Sequence, residues 1–170
     1  MTTITRERAD LLESLGAARF FLRHTAQGLT DAQAAHRSTV SELCIGGLIK
    51  HVTEVERQWA RFIVEGPAAV AVADDPAAYE TYANGFRMLP GETLAGLLEE
   101  HERVAKETDE LVRTVPDLDA EHPLPPAPWF APGARRSHRR TLQHIVAETA
   151  QHAGHADIIR EAIDGQKTMG

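Results

Sequence analysis

The stretch Thr141-Leu-Gln-His144-Ile-Val-Ala-Glu148-Thr-Ala-Gln-His152-Ala-Gly-His155-Ala-Asp-Ile-Ile159 decides the fold class. Its apolar residues return every three or four positions, which is the period of an α-helix. A helix advances about 100° per residue. With His144 at zero, Glu148 falls near 40°, His152 near 80° and His155 near 20°. Four side chains able to bind a metal therefore share a sector of about 80°, and Glu148 and His152 stand one turn apart. Left unpaired in a core, such a face costs several kcal/mol per polar group. A metal ion or a tight hydrogen-bond network would offset that cost.

Three further segments carry the same period. The first runs from about Thr5 to Gln27, with Leu11, Leu12, Leu15, Ala18, Phe21 and Leu22 as its stripe and Gly28 as its stop. A short helix, Thr30 to Ala35, follows with Thr30 or Asp31 as cap. The second long helix is read from Glu42 to Glu65, capped by Ser41 and closed by Gly66-Pro67; Leu48, Val52, Val55, Trp59, Phe62 and Ile63 line it. The third opens at Pro90-Gly91-Glu92 and runs to about Thr114. Its stripe, from Leu94 to Val112, includes His101, expected as a hydrogen-bonded core histidine. The fourth is read from Thr141 to Ile163, with Ser137 or Thr141 as cap and Gly165 at its end.

Between these helices lie two long connections. Ala68 to Leu89 breaks at Asp74-Asp75-Pro76 and is expected to hold a helical turn near Pro76 to Asn84. Val115 to His138 carries six prolines and cannot be a helix. Trp129-Phe130 gives it something to bury, so a packed loop is expected. No segment alternates as a strand. The class is all-α, and four helices of about 20 residues predict a four-helix bundle in a single domain spanning 1–170.

Composition narrows the function. The chain has 170 residues and a formal charge of −7. The one dense basic run, Arg135 to Arg140, could contact an anionic ligand or be a solvated helix entry. With no basic stripe, nucleic acid is not expected as a partner. No apolar run approaches the roughly 18 residues of a membrane span, and the polar N-terminus lacks a secretory signal. The single cysteine, Cys44, excludes an internal disulfide and reads as a small core residue. These features together point to a cytoplasmic protein. Three of the eighteen basic residues are lysines and alanine is abundant, a bias that suits a GC-rich genome.

The second helix supplies a partner for the fourth. His51 lies between Leu48 and Val55 on the apolar stripe and so should point inward. His51, Glu148 and His152 would make a three-ligand set with open positions, the catalytic arrangement for zinc, also resembling the facial set of iron. Spacing alone also allows a lone core histidine and an ordinary Glu-His pair. His144 and His155 sit on the same face as candidates for proton transfer or support. Glu-x-x-His and His-Glu-x-x-His metal motifs are absent. Gly46-Gly47 lies inside the second helix and reads as a close-packing site.

The run from Glu148 to Gly165, with Ile45-Gly-Gly-Leu-Ile-Lys-His51-Val-Thr-Glu-Val-Glu56-Arg-Gln-Trp59 and Pro90-Gly-Glu-Thr-Leu94, resembles the DinB-like superfamily, in particular its actinobacterial branch. The resemblance spans essentially the whole chain and implies a four-helix bundle with a metal near one end. The usual ligands are a His on the second helix and His-x-x-x-His on the fourth. Here Glu148 replaces the first of that pair, matching the His, Glu, His set of the related mycothiol-dependent maleylpyruvate isomerases. The resemblance thus implies His51, Glu148 and His152 as ligands of a divalent ion, zinc first, with nickel or iron as alternatives. His155, His144 and Glu56 belong to the branch's motif without a role that carries over, and His155 is open as a fourth or alternative ligand. It also implies a thiol S-transferase or thiol-dependent isomerase, with mycothiol as cosubstrate and a small electrophile as substrate. A non-catalytic metal- or ligand-binding bundle is the other reading, and a homodimer is open to either.

Overall fold

The computed structural model describes residues 4–70 and 76–168. Its elements are α1 (Arg6–Thr25), α2 (Asp31–Ala35), α3 (Ile45–Glu65), a 3₁₀ turn (Pro67–Val70), α4 (Pro76–Asn84), α5 (Leu94–Thr114), β1 (Glu121–Pro123), β2 (Arg135–Ser137) and α6 (His138–Asp164). The four long helices form the bundle, and the class is all-α as expected. Helix α3 packs on α6 and α5, and α1 packs on the same two. Helices α1 and α3 therefore face each other across the bundle's centre.

The ends of the helices differ from the sequence expectation in instructive ways. Helix α3 starts at Ile45, capped by Cys44, whose Sγ accepts from the Gly47 amide at 3.4 Å. Ser41 is not the cap because its hydroxyl already accepts from the Leu43 amide, two residues on. Pro90-Gly91-Glu92 forms a turn, with Gly91 at φ +90°, and α5 begins later under a Thr93 cap. Helix α6 begins earlier than Thr141 because the Ser137 hydroxyl accepts from the Arg140 amide. It closes on Gly165 in the left-handed conformation that glycine adopts without strain. The predicted helix at 76–84 is present as α4; the Asp74-Asp75 break falls outside the described residues.

No strand was expected, yet β1 and β2 pair antiparallel, with His122 opposite Arg136. Three residues each are too few to display a period. The proline-rich loop between them is held at its base by this ladder. Phe130 is half-buried as expected of a packed loop, but Trp129 is 69% exposed. On α1, Phe21 lies outside although it was read as part of the apolar stripe, and Arg19, one turn from both Leu15 and Leu22, is buried.

The core has two apolar clusters. One gathers Leu22, Ile45, Leu48, Ile49, Val52, Leu94, Ala156 and Ile159. The other gathers Leu11, Leu15, Ile63, Val112, Leu142 and Ile145. Between them lies a polar belt, one residue or more from every long helix: Arg19, Glu56, His101, Thr108 and Thr149, all buried. Arg19 crosses the bundle to grip Glu56 with two hydrogen bonds, Nη2 to Oε1 at 2.5 Å and Nε to Oε2 at 3.2 Å, and reaches Asp109 on α5 at 2.7 Å. Breaking such a pair from one side strands a buried charge and costs about 3–5 kcal/mol. The threonines return their hydroxyls to carbonyls one turn back.

His101 departs from its expected role. It faces the core fully buried, but neither ring nitrogen has a hydrogen-bond partner among the described residues. Burial, helped by Arg23 and Arg19, pushes its pKa down to about 4. The unfolded chain protonates this group below about pH 6.5, so the fold loses stability as pH falls from there toward 4. The loss amounts to roughly 3 kcal/mol at most and levels off below the folded pKa. His101→Met should therefore stabilise the protein at pH 7.5 by about 1–2 kcal/mol and flatten the decline seen in urea unfolding between pH 7.5 and 4.5. A variant that is less stable at pH 7.5 and keeps the full decline would contradict the assignment.

Candidate metal centre

Helix α3 brings His51 inward one turn after Leu48, and α6 brings Glu148 and His152 to meet it. Each of the three offers one donor atom, and these atoms lie within 4.8 Å of one another. The His51 and His152 rings meet edge to face with centroids 4.9 Å apart. His152 Nε2 is 3.7 Å from a Glu148 oxygen. Donors around a tetrahedral zinc at about 2.0–2.1 Å stand roughly 3.4 Å apart, so small side-chain rotations close the set. Two imidazoles and one carboxylate suit a divalent ion of borderline softness. Burial lowers the pKa of His51 to about 4 and also lowers that of His152, so both rings present lone pairs at neutral pH.

His144 and His155 flank this set differently. His144 Nε2 lies 4.0 Å from the other Glu148 oxygen, and its ring meets the edge of Trp59 at 4.9 Å. Burial and the charges of Arg136 and Arg140 lower its pKa to about 4. His155 lies behind His152: their Nδ1 atoms are 3.3 Å apart. It thus meets the ring nitrogen of His152 that faces away from Glu148 and stays outside the converging group of three.

The three converging residues, with His144, line one side of a cleft of about 360 Å³. Its other walls are aromatic and proline-rich: Trp59, Tyr82, Phe86, Pro125, Pro126, Trp129 and Phe130. Sequence reasoning missed most of these. Phe86 stacks on the His51 ring at 4.0 Å, and Tyr82 stands edge-on to both rings. The aromatic pair at four-residue spacing was a readable signal, but nothing local tied it to α3. Glu56, part of the motif quoted above, is the buried partner of Arg19 and does not line the cleft.

Against this geometry, the family model for mycothiol S-transferases matches residues 10–165. The chain belongs to the mycothiol S-transferase family. This family is DinB-like, in keeping with the bundle. A solved structure of a conserved protein from Enterococcus faecalis is similar to it at a TM-score of 0.64 and 14% identity. The match covers 92% of this chain and 96% of that one, and at such identity it speaks for the fold alone. No curated protein matches. Membership implies a small-molecule thiol partner and metal-dependent, mycothiol-related chemistry. Among the described residues no helix is long and apolar enough to cross a membrane.

The approach of Phe86 to α3 is set by Gly47. A Cβ there would stand 2.0 Å from the Phe86 carbonyl oxygen and 2.7 Å from the Arg87 amide, both backbone atoms. At Gly46 it would meet the flexible end of Met88 instead. Gly47→Ala should cost about 1–3 kcal/mol, more than Gly46→Ala, and should weaken metal binding by displacing Phe86 from His51. Equal losses in the two variants by chemical denaturation would argue against this contact.

Proposed function

We propose that this chain is a metal-dependent mycothiol S-transferase whose divalent ion, zinc first with nickel or iron as alternatives, is held by His51, Glu148 and His152. The observation that supports it best is the convergence of these three donors on the wall of an aromatic cleft, within a chain of the mycothiol S-transferase family. Three protein ligands leave a position for a substrate, as catalytic sites require. A divalent ion bound there supplies the positive charge that lowers a thiol's pKa, so that a thiolate forms at neutral pH.

The chain's own residues complete the chemistry. Tyr82, Phe86, Trp129 and Phe130 shield the cleft and give an apolar electrophile a surface to stack on. His144, in the cleft and beside Glu148, is placed to relay to solvent the proton that the thiol releases; its low pKa keeps the ring neutral and free to accept. The thiolate sulfur then attacks the electrophilic carbon; a carbon–sulfur bond forms and the leaving group departs with its electron pair. In the isomerase variant of this reading, the sulfur adds, the adduct rearranges and the thiol is expelled unchanged. With His152 ligating through Nε2, its Nδ1–H donates to His155, which fixes the ring's orientation. His155 is in this reading a positioning residue.

Purified protein should conjugate mycothiol to monochlorobimane, releasing chloride, and chelation should abolish the rate until metal is restored. No metal-dependent conjugation across a panel of thiols would count against the activity. Glu148→Ala should lose bound metal by elemental analysis, and full occupancy in that variant would sink the ligand assignment. His155→Ala should keep the site but weaken its metal affinity by about 10–100-fold; unchanged affinity would remove His155 from the centre.

A further inference from the structure

Arg136 is a cation for which the described residues supply no counter-charge. It sits in β2 opposite His122, and neighbouring strand residues face opposite ways. Arg135 accordingly turns outward to pair with Glu121, while Arg136 turns inward on the face where the His122 ring packs against Phe62. Arg139, from the same basic run, pairs with Glu7 and Asp119. Among the described residues Arg136 has no ion pair, and its Nη1 is buried with no hydrogen-bond partner. Its guanidinium lies 4.4 Å over the Trp59 ring and 5.6 Å from the Phe130 ring, both walls of the cleft. Burial and the neighbouring Arg140 both disfavour the charge there.

A half-buried guanidinium without a partner is costly in an isolated protein. An oxyanion would relieve that cost through charge-assisted, fork-shaped hydrogen bonds. The ring stacked beneath it fixes the fork's plane, and the same aromatic wall would hold the apolar part of a ligand. The one carboxylate among the cleft residues, Glu148, is engaged near His144 and His152. Arg136 is not itself among the cleft's lining residues; it lies against two of them, Trp59 and Phe130, with Nη1 buried, so an anionic group at that edge of the cleft would meet the remaining edge of its guanidinium.

We infer that Arg136 is a specificity-determining residue that selects a flat, apolar substrate bearing one oxyanion, a carboxylate or sulfonate. This rests on the cleft being the electrophile site, but it is testable without turnover. The two tryptophans of the chain, Trp59 and Trp129, both line the cleft, so intrinsic fluorescence reports its occupancy. Metal-loaded protein is titrated with benzenesulfonate and with methyl phenyl sulfone, a neutral isostere; both are poor metal ligands.

Benzenesulfonate should bind at least tenfold tighter than the sulfone. Arg136→Met, which keeps packing on Trp59, should remove that preference and leave sulfone binding unchanged. Arg136→Lys, which keeps the charge without the fork, should retain part of it, and thermal melts confirm that both variants fold. Equal binding of the two probes to the wild type would overturn the inference. So would an equal loss of both in Arg136→Met, since Arg136 would then only support Trp59. If the preference holds while no thiol transfer is found, the anion site stands and the transferase reading fails.

Discussion

The bundle depends on how α3 and α6 meet at mid-height. Above and below that point their facing residues are apolar: Ile45, Leu48 and Val52 with Ala153, Ala156 and Ile159 toward one end, Ile63 with Leu142 and Ile145 toward the other. Between the clusters the seam turns polar. The Arg19, Glu56 and Asp109 network closes it on the inside, and His51, Glu148 and His152 line it where the cleft opens. Burying these groups costs stability that apolar residues would not. What that cost secures is geometry: Glu56 is tied across the bundle to α1, which fixes the rotation of α3 and with it the direction of His51, five residues earlier.

The outer wall is built from different material. Helix α4, the turn after it and the proline-rich loop lend Tyr82, Phe86 and Phe130 to the cleft, and all are short or irregular segments on a rigid frame. The closeness of Phe86 to α3 relies on glycine at position 47, where a methyl group would strike backbone. A metal-competent set on long helices with a wall of loop aromatics separates two demands. The helices fix the backbone positions of the three donors, and the loops can differ in shape to suit a substrate.

Much of this was legible in the sequence because it repeats locally. The 3.6-residue period gave four long helices, the inward face of His51, and the shared sector of Glu148 and His152. Gly66 and Gly165 marked helix ends through the backbone conformation that glycine tolerates. Caps were less legible: Ser41, Thr93 and Cys44 compete for nearby amides, and geometry alone decides which wins. Phe21 was misplaced because the period tracks apolarity alone, and Arg19 went unread because nothing local showed that the buried Glu56 needs a cation on the inner face. The pairing of β1 with β2 was invisible in runs of three residues. Phe86 on His51 and Arg136 on Trp59 join segments far apart in the chain, and no local pattern encodes such contacts. Family membership supplied the thiol chemistry that helical phase could not.

The central claim is that the polar seam between α3 and α6 holds a metal with a position left for a thiol. X-ray absorption at the metal edge of the purified protein, alone and with mycothiol added, tests it most directly. The account predicts one ion per chain in a shell of nitrogen and oxygen donors, gaining one sulfur neighbour at about 2.3 Å when the thiol is added. An absence of stoichiometric metal, or a shell that mycothiol leaves unchanged, would contradict it.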